Sequence, residues 1–262
     1  MAHHQRNTEE LFLHKSGLSA YKRCPLRFKY MYVDPIWADR DEEMVYGTEF
    51  HDAVRRFYYL MDVDVLFAHD TFQDRLQYLM SCRPDGYRPR VNKWLYNYCK
   101  MEAKRSLGWT NPKNWFMPLN QERYYELRSP QKYAGTIDRV DHYDKWHLIV
   151  IDYKTGKFHD WLLSELRQEM ALYAVILNNH PQSPVQKTGK YVAYWATIHP
   201  SIEYVYLEEF KPQTLSALAK NTVKIWNSVK KGSFPAKVGE HCDWCPFLYR
   251  CCTEDWYIEE AL

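Results

Sequence analysis

The segment Ile149-Val150-Ile151-Asp152-Tyr153-Lys154-Thr155-Gly156 sets charge where charge is costly. Leu148 to Ile151 read as a buried strand, and strand side chains two apart share a face. Asp152 and Lys154 therefore project together from its C-terminal end, with Tyr153 on the other side. Buried charges are retained at such a cost only when paired or put to use. A second acid, Asp138, ends Gly135-Thr136-Ile137-Asp138 on the preceding strand. A two-residue hairpin loop at Asp144-Lys145 would set Asp138 and Asp152 on opposite faces; a three-residue loop or one bulge makes them neighbours. The second arrangement is expected, because acids that grip one cation must share a face. Mg²⁺ or Mn²⁺ suits such oxygen ligands and keeps waters for chemistry. Lys154 would then orient or deprotonate a water, or counter charge on a phosphate, a set of groups suited to hydrolysing a phosphodiester.

Three further groups carry candidate chemistry. In Gly47-Thr48-Glu49-Phe50-His51, early in a helical segment, Gly47 permits close backbone approach and His51 offers an imidazole ligand. After the Asp152 strand comes a helix in which Glu169 and Tyr173 share a face at i, i+4. The tail holds Cys242-x₂-Cys245-x₅-Cys251, and Cys24, before Pro25, is the best candidate for a fourth thiolate. Cys252 is an alternative to Cys251, while Cys82 and Cys99 read as ordinary buried thiols. Seven cysteines in a chain expected to sit in a reducing cytosol point to a metal site before disulfides. Four thiolates hold either zinc or an iron–sulfur cluster.

These residues need elements to position them. The first third reads as helices: one capped by Ser16 or Ser19 and running through Tyr32, one over 41–60, one over 68–81 and one over 90–106. Strands follow over 122–128, 133–143 and 146–154, then a helix over 161–177, strands over 191–198 and 202–210, and a helix over 214–231. The order is helices, β-β-β-α-β-β, helix, hook, which makes a mixed α/β core with a helical lobe in front. The expected division is 1–115 for the helical region, 116–235 for the core and 236–262 for the cysteine hook.

Composition narrows the class. Of 262 residues, 46% are apolar and 26% charged, so the chain is globular rather than disordered. No apolar stretch approaches the ~20 residues of a membrane helix. Met1 to Asn7 are polar and lack the apolar run of a secretory leader, so a cytoplasmic protein is expected. A net charge of +2 requires any nucleic-acid surface to be local. Cations mix with rings at Lys22, Arg23, Arg27 and Lys29, at Arg88, Arg90 and Lys93, and basic residues recur at Lys224, Lys230 and Lys231. With 22 Tyr, 11 Phe and 10 Trp, such mixtures suit a single strand, cations following phosphates while rings stack on bases.

In this order, Gly47…His51, Gly135-Thr136-Ile137-Asp138, Asp152-Tyr153-Lys154 and Glu169…Tyr173 resemble the RecB-like branch of the PD-(D/E)XK nuclease superfamily. The resemblance implies a restriction-endonuclease-like α/β fold, with a mixed central sheet flanked by helices. It implies His51, Asp138, Asp152 and the Tyr153 carbonyl as metal ligands, Lys154 as the catalytic lysine, and Glu169 and Tyr173 as further site residues. One departure stands out: the family helix reads Gln-x-x-x-Tyr, whereas Glu169 stands four before Tyr173 and Gln168 is one residue off. A lone cysteine plus a C-terminal trio resembles the iron–sulfur staple of AddB-like and CRISPR-associated RecB-like nucleases. That implies a structural [4Fe–4S] cluster on Cys24, Cys242, Cys245 and Cys251, with zinc as the less favoured occupant. The expected activity is exonucleolytic hydrolysis of single-stranded DNA or DNA ends, in DNA repair or a related pathway. The alternative is an inactive DNA-binding or assembly subunit on the same fold. No GxxxxGK[ST] phosphate loop is present, so unwinding requires a helicase or another DNA-processing partner.

Overall fold

A computed structural model describes residues 11–36, 42–108, 113–129, 131–156 and 158–253. Met1 to Asn7 lie outside these, as does the side chain of Cys252.

The front opens with α1 (Lys15–Arg23) and α2 (Pro25–Phe28), continued by a π-helical turn over Lys29–Val33. The expected single helix to Tyr32 is thus broken at Cys24, which is extended (φ −156°, ψ 115°). Pro25 is the cause: its ring disfavours the helical region for the residue before it and it has no N–H to donate, so it opens a new helix instead. Next come α3 (Glu42–Leu60), α4 (Val63–Phe67), α5 (Phe72–Ser81), α6 (Pro89–Ser106) and α7 (Lys113–Phe116).

The core follows as β1 (Asn120–Leu127), β2 (Tyr133–His142), β3 (His147–Tyr153), α8 (Leu163–Asn179), α9 (Pro184–Thr188), β4 (Tyr191–His199), β5 (Tyr204–Glu209) and α10 (Pro212–Lys231), closed by α11 (Leu248–Thr253). The sheet runs β1-β2-β3-β4-β5, with β3 and β4 parallel and the other neighbours antiparallel. The parallel pair requires a crossover, which α8 supplies. This is the expected mixed α/β fold.

Alternation along β3 sends its residues into two cores. Leu148 and Val150 join Leu18, Leu172, Trp195 and Ile225 beneath α1, α8 and α10. Ile149, Ile151 and Tyr153 join Phe50, Phe57, Trp94 and Tyr98 beneath α3 and α6. Both faces are covered, which is why β3 reads as a nearly continuous apolar run. On the α3/α6 side of β2, Arg139 is fully buried. Its guanidinium donates to Asp141 (2.8 Å), Tyr98 (2.6 Å) and Glu102 (3.2 Å). Arg105 holds Glu102 from the other side at 2.6 Å. No described helix is long and apolar enough to cross a membrane.

Candidate active site

The β2–β3 turn decides the site. Tyr143 N–H donates to the His147 carbonyl (3.0 Å), leaving a three-residue loop of Asp144, Lys145 and Trp146. Asp144 shapes it by accepting from the N–H groups of Trp146 (2.7 Å) and His147 (2.8 Å). Arg139 then faces Ile151 and Val140 faces Val150; one step further, Asp138 stands beside Asp152 on one face. This is the shared face that the sequence led one to expect, with Asp152 outside the group of side chains close enough together to hold one ion. Both acids are buried, at 4% and 0% exposure.

The row extends to an acid the sequence reading missed. On β1, Gln121 faces Arg139 and Arg123 faces Ile137, so Glu122 lies across from Asp138. Its backbone has φ 42°, an uncommon value for a residue with a side chain, and strain of this sort collects at functional sites. Applying the register arithmetic of the second hairpin to the first would have found it.

His51 approaches from α3. Its Nδ1 lies 2.8 Å from Glu122 Oε1 and 3.6 Å from Asp138 Oδ2, and among the described residues His51, Glu122 and Asp138 form a group able to hold one ion. The ring meets Tyr153 edge-on, while Tyr153 N–H donates to Asp138 Oδ2 (2.8 Å). Gly47 is less constrained than its type suggested: a Cβ there would make only ordinary contact with Thr155, at 3.5 Å.

Two lysines and α8 complete the surround. Lys154 Nζ is 2.9 Å from Asp152 and 3.4 Å from Glu169. Lys15, at the start of α1 and absent from the sequence reading, also pairs with Asp152 and sits 5.1 Å from the Tyr173 ring centre. Glu169 accepts from Ser19 Oγ. It is Glu169, not Gln168, that faces this site; Gln168 turns away to accept from Asn221 (2.8 Å). Tyr173 donates to the Thr136 carbonyl (2.6 Å), fastening α8 to β2 two residues from Asp138. A Cβ at residue 135 would stand 2.9 Å from the Tyr173 ring, so Gly135 is there to let that ring approach.

The electrostatics follow from crowding three acids in a dry place. Burial, then the neighbouring Asp152, pushes the Asp138 carboxyl up to about 6. Burial would raise Asp152 too, but Lys15 and Lys154 hold it well below the usual carboxylate range. Burial opposes a charged His51, yet Asp138 and Glu122 raise it to about 9. Lys154 stays above its ordinary value despite burial because of Asp152. Carboxylates with one imidazole are a donor set that fits a hard divalent cation.

At the far end of α1, Cys24, Cys242, Cys245 and Cys251 line one cavity of about 30 Å³. Cys24 Sγ accepts from Lys237 N–H at 3.4 Å. Among the described residues no three of these sulfurs come within 4.8 Å of one another. Tetrahedral zinc, with Zn–S bonds of about 2.3 Å, would draw its sulfurs to roughly 3.8 Å apart. Arg27 lines the same cavity, and its Nε and Nη1 are buried without a partner. Cys82 and Cys99 are buried far from the hook, and burial pushes the Cys99 thiol up to about 12.

The basic clusters fare differently. Arg88 and Arg90 are paired with Glu49 (2.9 Å) and Glu43 (2.5 Å), and Arg23 with Glu165 (2.8 Å). Lys22 and Lys224 have no carboxylate within 4.0 Å among the described residues.

Comparison with known proteins agrees with this geometry. The family model of the PD-(D/E)XK nuclease superfamily matches residues 15–252. The solved structure of a candidate exonuclease from Eubacterium rectale superposes with a TM-score of 0.51 at 13% identity, covering 93% of this chain and 90% of that one. No curated protein sequence matches significantly. A family match spanning every element from α1 to α11, on a sheet that brings Asp138, Asp152 and Lys154 together, leaves one assignment: the chain belongs to the PD-(D/E)XK nuclease superfamily.

Proposed function

We propose that the protein is a metal-dependent deoxyribonuclease, acting as an exonuclease on single-stranded DNA or DNA ends. The observation that carries the reading is the lateral row Glu122–Asp138–Asp152, with Lys154 beside its last member. Asp138, Asp152, the Tyr153 carbonyl and His51, joined by Glu122, would hold Mg²⁺ or Mn²⁺. The bound ion would supply positive charge to the phosphoryl oxygens and a water of lowered pKa. Lys154 donates toward a water or a phosphate oxygen, and Glu169 steadies its ammonium at 3.4 Å. Ser19 in turn positions Glu169, and Tyr173 sets the distance between α8 and β2. Lys15 lies where it can leave Asp152 for an incoming phosphate. Exonuclease action is favoured by the Eubacterium rectale structure, itself described as a candidate exonuclease.

The same reading extends to the hook. Four cysteines around one cavity, no three of their sulfurs as close together as zinc would draw them, and the half-buried Arg27 with two unpartnered nitrogens beside them support a structural [4Fe–4S] cluster, as in AddB-like and CRISPR-associated relatives of the fold. It would tie α1 to the tail.

The test is cleavage of end-labelled single and double strands by anaerobically purified protein, with and without Mn²⁺. Mn²⁺-dependent release of mononucleotides, lost in Lys154→Ala, is expected. Tight DNA binding without cleavage under any metal would favour the inactive assembly subunit. Rapid cutting of closed circular duplex would remove the exonuclease specificity.

A further inference from the structure

Beside the candidate active site, and separate from it, lies a cavity of about 260 Å³ between α1, α8 and α10. Three lysines line it: Lys22 from α1, Lys224 from α10 and Lys237 from the segment leading to the hook. No acidic residue does. None of the three has a carboxylate within 4.0 Å among the described residues, whereas most arginines of the other basic clusters are neutralised by glutamates. Their neutral partners are distant: Lys22 Nζ is 3.4 Å from Ser164 Oγ, and Lys237 Nζ is 3.4 Å from the Lys22 carbonyl. Three exposed lysines on the wall of one hollow, with no acid among its lining, leave a local excess of positive charge that an anion would neutralise. The rest of the wall is apolar or amide, with Tyr21 held by Ser228 (2.5 Å) and Gln168 by Asn221. At this volume the hollow falls below the roughly 300–1,000 Å³ of sites for drug-sized ligands, and suits a phosphate with part of its sugar.

Position gives the ligand its class. Lys15 and Ser19 of α1 face the carboxylates and Glu169, and Lys22 stands seven residues after Lys15 on the same helix. At 1.5 Å per residue that is about 10 Å. At about 3.4 Å of rise per nucleotide in a stacked strand, it amounts to about three nucleotides at most, and fewer in an extended one.

Resting on the nuclease reading above, we propose that this pocket is a phosphate subsite for the strand being cut, holding one phosphate within about three nucleotides of the scissile bond. The phosphate belongs either to an internal linkage or to a strand terminus, and the two are separable.

The experiment measures binding of short fluorescent single strands to the full chain without divalent metal, so that cleavage plays no part. Wild type is compared with Lys224→Gln, Lys237→Gln and the double variant, at several salt concentrations. Matched melting curves establish folding, with Lys22→Gln as the substitute should one variant unfold. Expected is a roughly tenfold loss of affinity in the double variant, with the salt dependence shallower by about 0.7 per lysine removed. Strands with a single neutral methylphosphonate at successive linkages, and strands with or without a terminal phosphate, then locate the contact. One internal neutral linkage that abolishes the difference between wild type and variant assigns the pocket to the backbone. Removal of a terminal phosphate doing so assigns it to the end. Equal binding by wild type and variants, or a loss indifferent to which phosphate is neutralised, overturns the proposal. A wild-type chain that shows this position-specific binding yet never cleaves with Mn²⁺ would sink the nuclease reading and leave the subsite standing.

Discussion

Glu102→Gln is the sharpest test of how the sheet is held. Glu102 is 2% exposed and shares Arg105 and Arg139 with Asp141. Burial alone would raise its pKa; Arg105, then Arg139, instead lower it from 4.5 to about 2. At about 1.4 kcal/mol per pH unit, this corresponds to roughly 3 kcal/mol favouring the folded state while the group is charged. Gln keeps the shape but removes the charge, leaving two arginines against one carboxylate. Removing one partner of a buried pair costs about 3–5 kcal/mol, in line with the first figure. Urea unfolding at pH 7 should show a loss of about 3 kcal/mol, and melting should fall by roughly 6–12 °C at about 2–4 °C per kcal/mol. The sign of the pH dependence is set by a depressed folded pKa. The Glu102 contribution is complete above 4.5 and fades as pH falls toward 2, so the gap between wild type and variant should narrow below pH 4.5. A variant as stable as wild type at pH 7, or a gap that widens in acid, would refute the reasoning.

Asp138→Asn should act in the opposite sense on the metal-free protein, since it relieves the repulsion that raises the Asp138 carboxyl to about 6 while keeping an acceptor for Tyr153 N–H. Scanning calorimetry in EDTA should show a higher melting temperature, and added Mn²⁺ should no longer raise it; a lower melting temperature in EDTA contradicts this. Gly135→Ala drives a methyl to 2.9 Å from the Tyr173 ring and should cost about 1–3 kcal/mol by urea unfolding, against no change if α8 can yield. Cys245→Ala should lose brown colour, iron and thermal stability together; a colourless variant with unchanged melting separates cluster from staple.

The order of the sheet elements was legible because period-two alternation is local; the Asp138–Asp152 pairing followed not from the turn, whose length was left open, but from the demand that two such acids share a face. Glu122 was legible only through the pairing of β1 with β2, since its own strand has weak alternation. Lys15 was missed because its role depends on α1, packed on α8, bringing it to Asp152, a long-range contact that no spacing announces. Gln168 and Glu169 could be sorted only by which side of α8 meets the sheet. The break at Cys24 was readable from Pro25. The Arg139 network was hidden because a buried ion pair looks, in sequence, like a solvated one.

The three-residue turn over Asp144, Lys145 and Trp146 is a surface loop of the sort that evolution usually lengthens or trims freely. Here a single inserted or deleted codon would rotate Asp138 to the back of the sheet, among the aromatic side chains under α3 and α6. Relatives descending from this chain can tolerate changes of two residues at that turn, or of one residue offset by a bulge. A one-residue indel there would mark a lineage in which Asp138 and Asp152 no longer share a face.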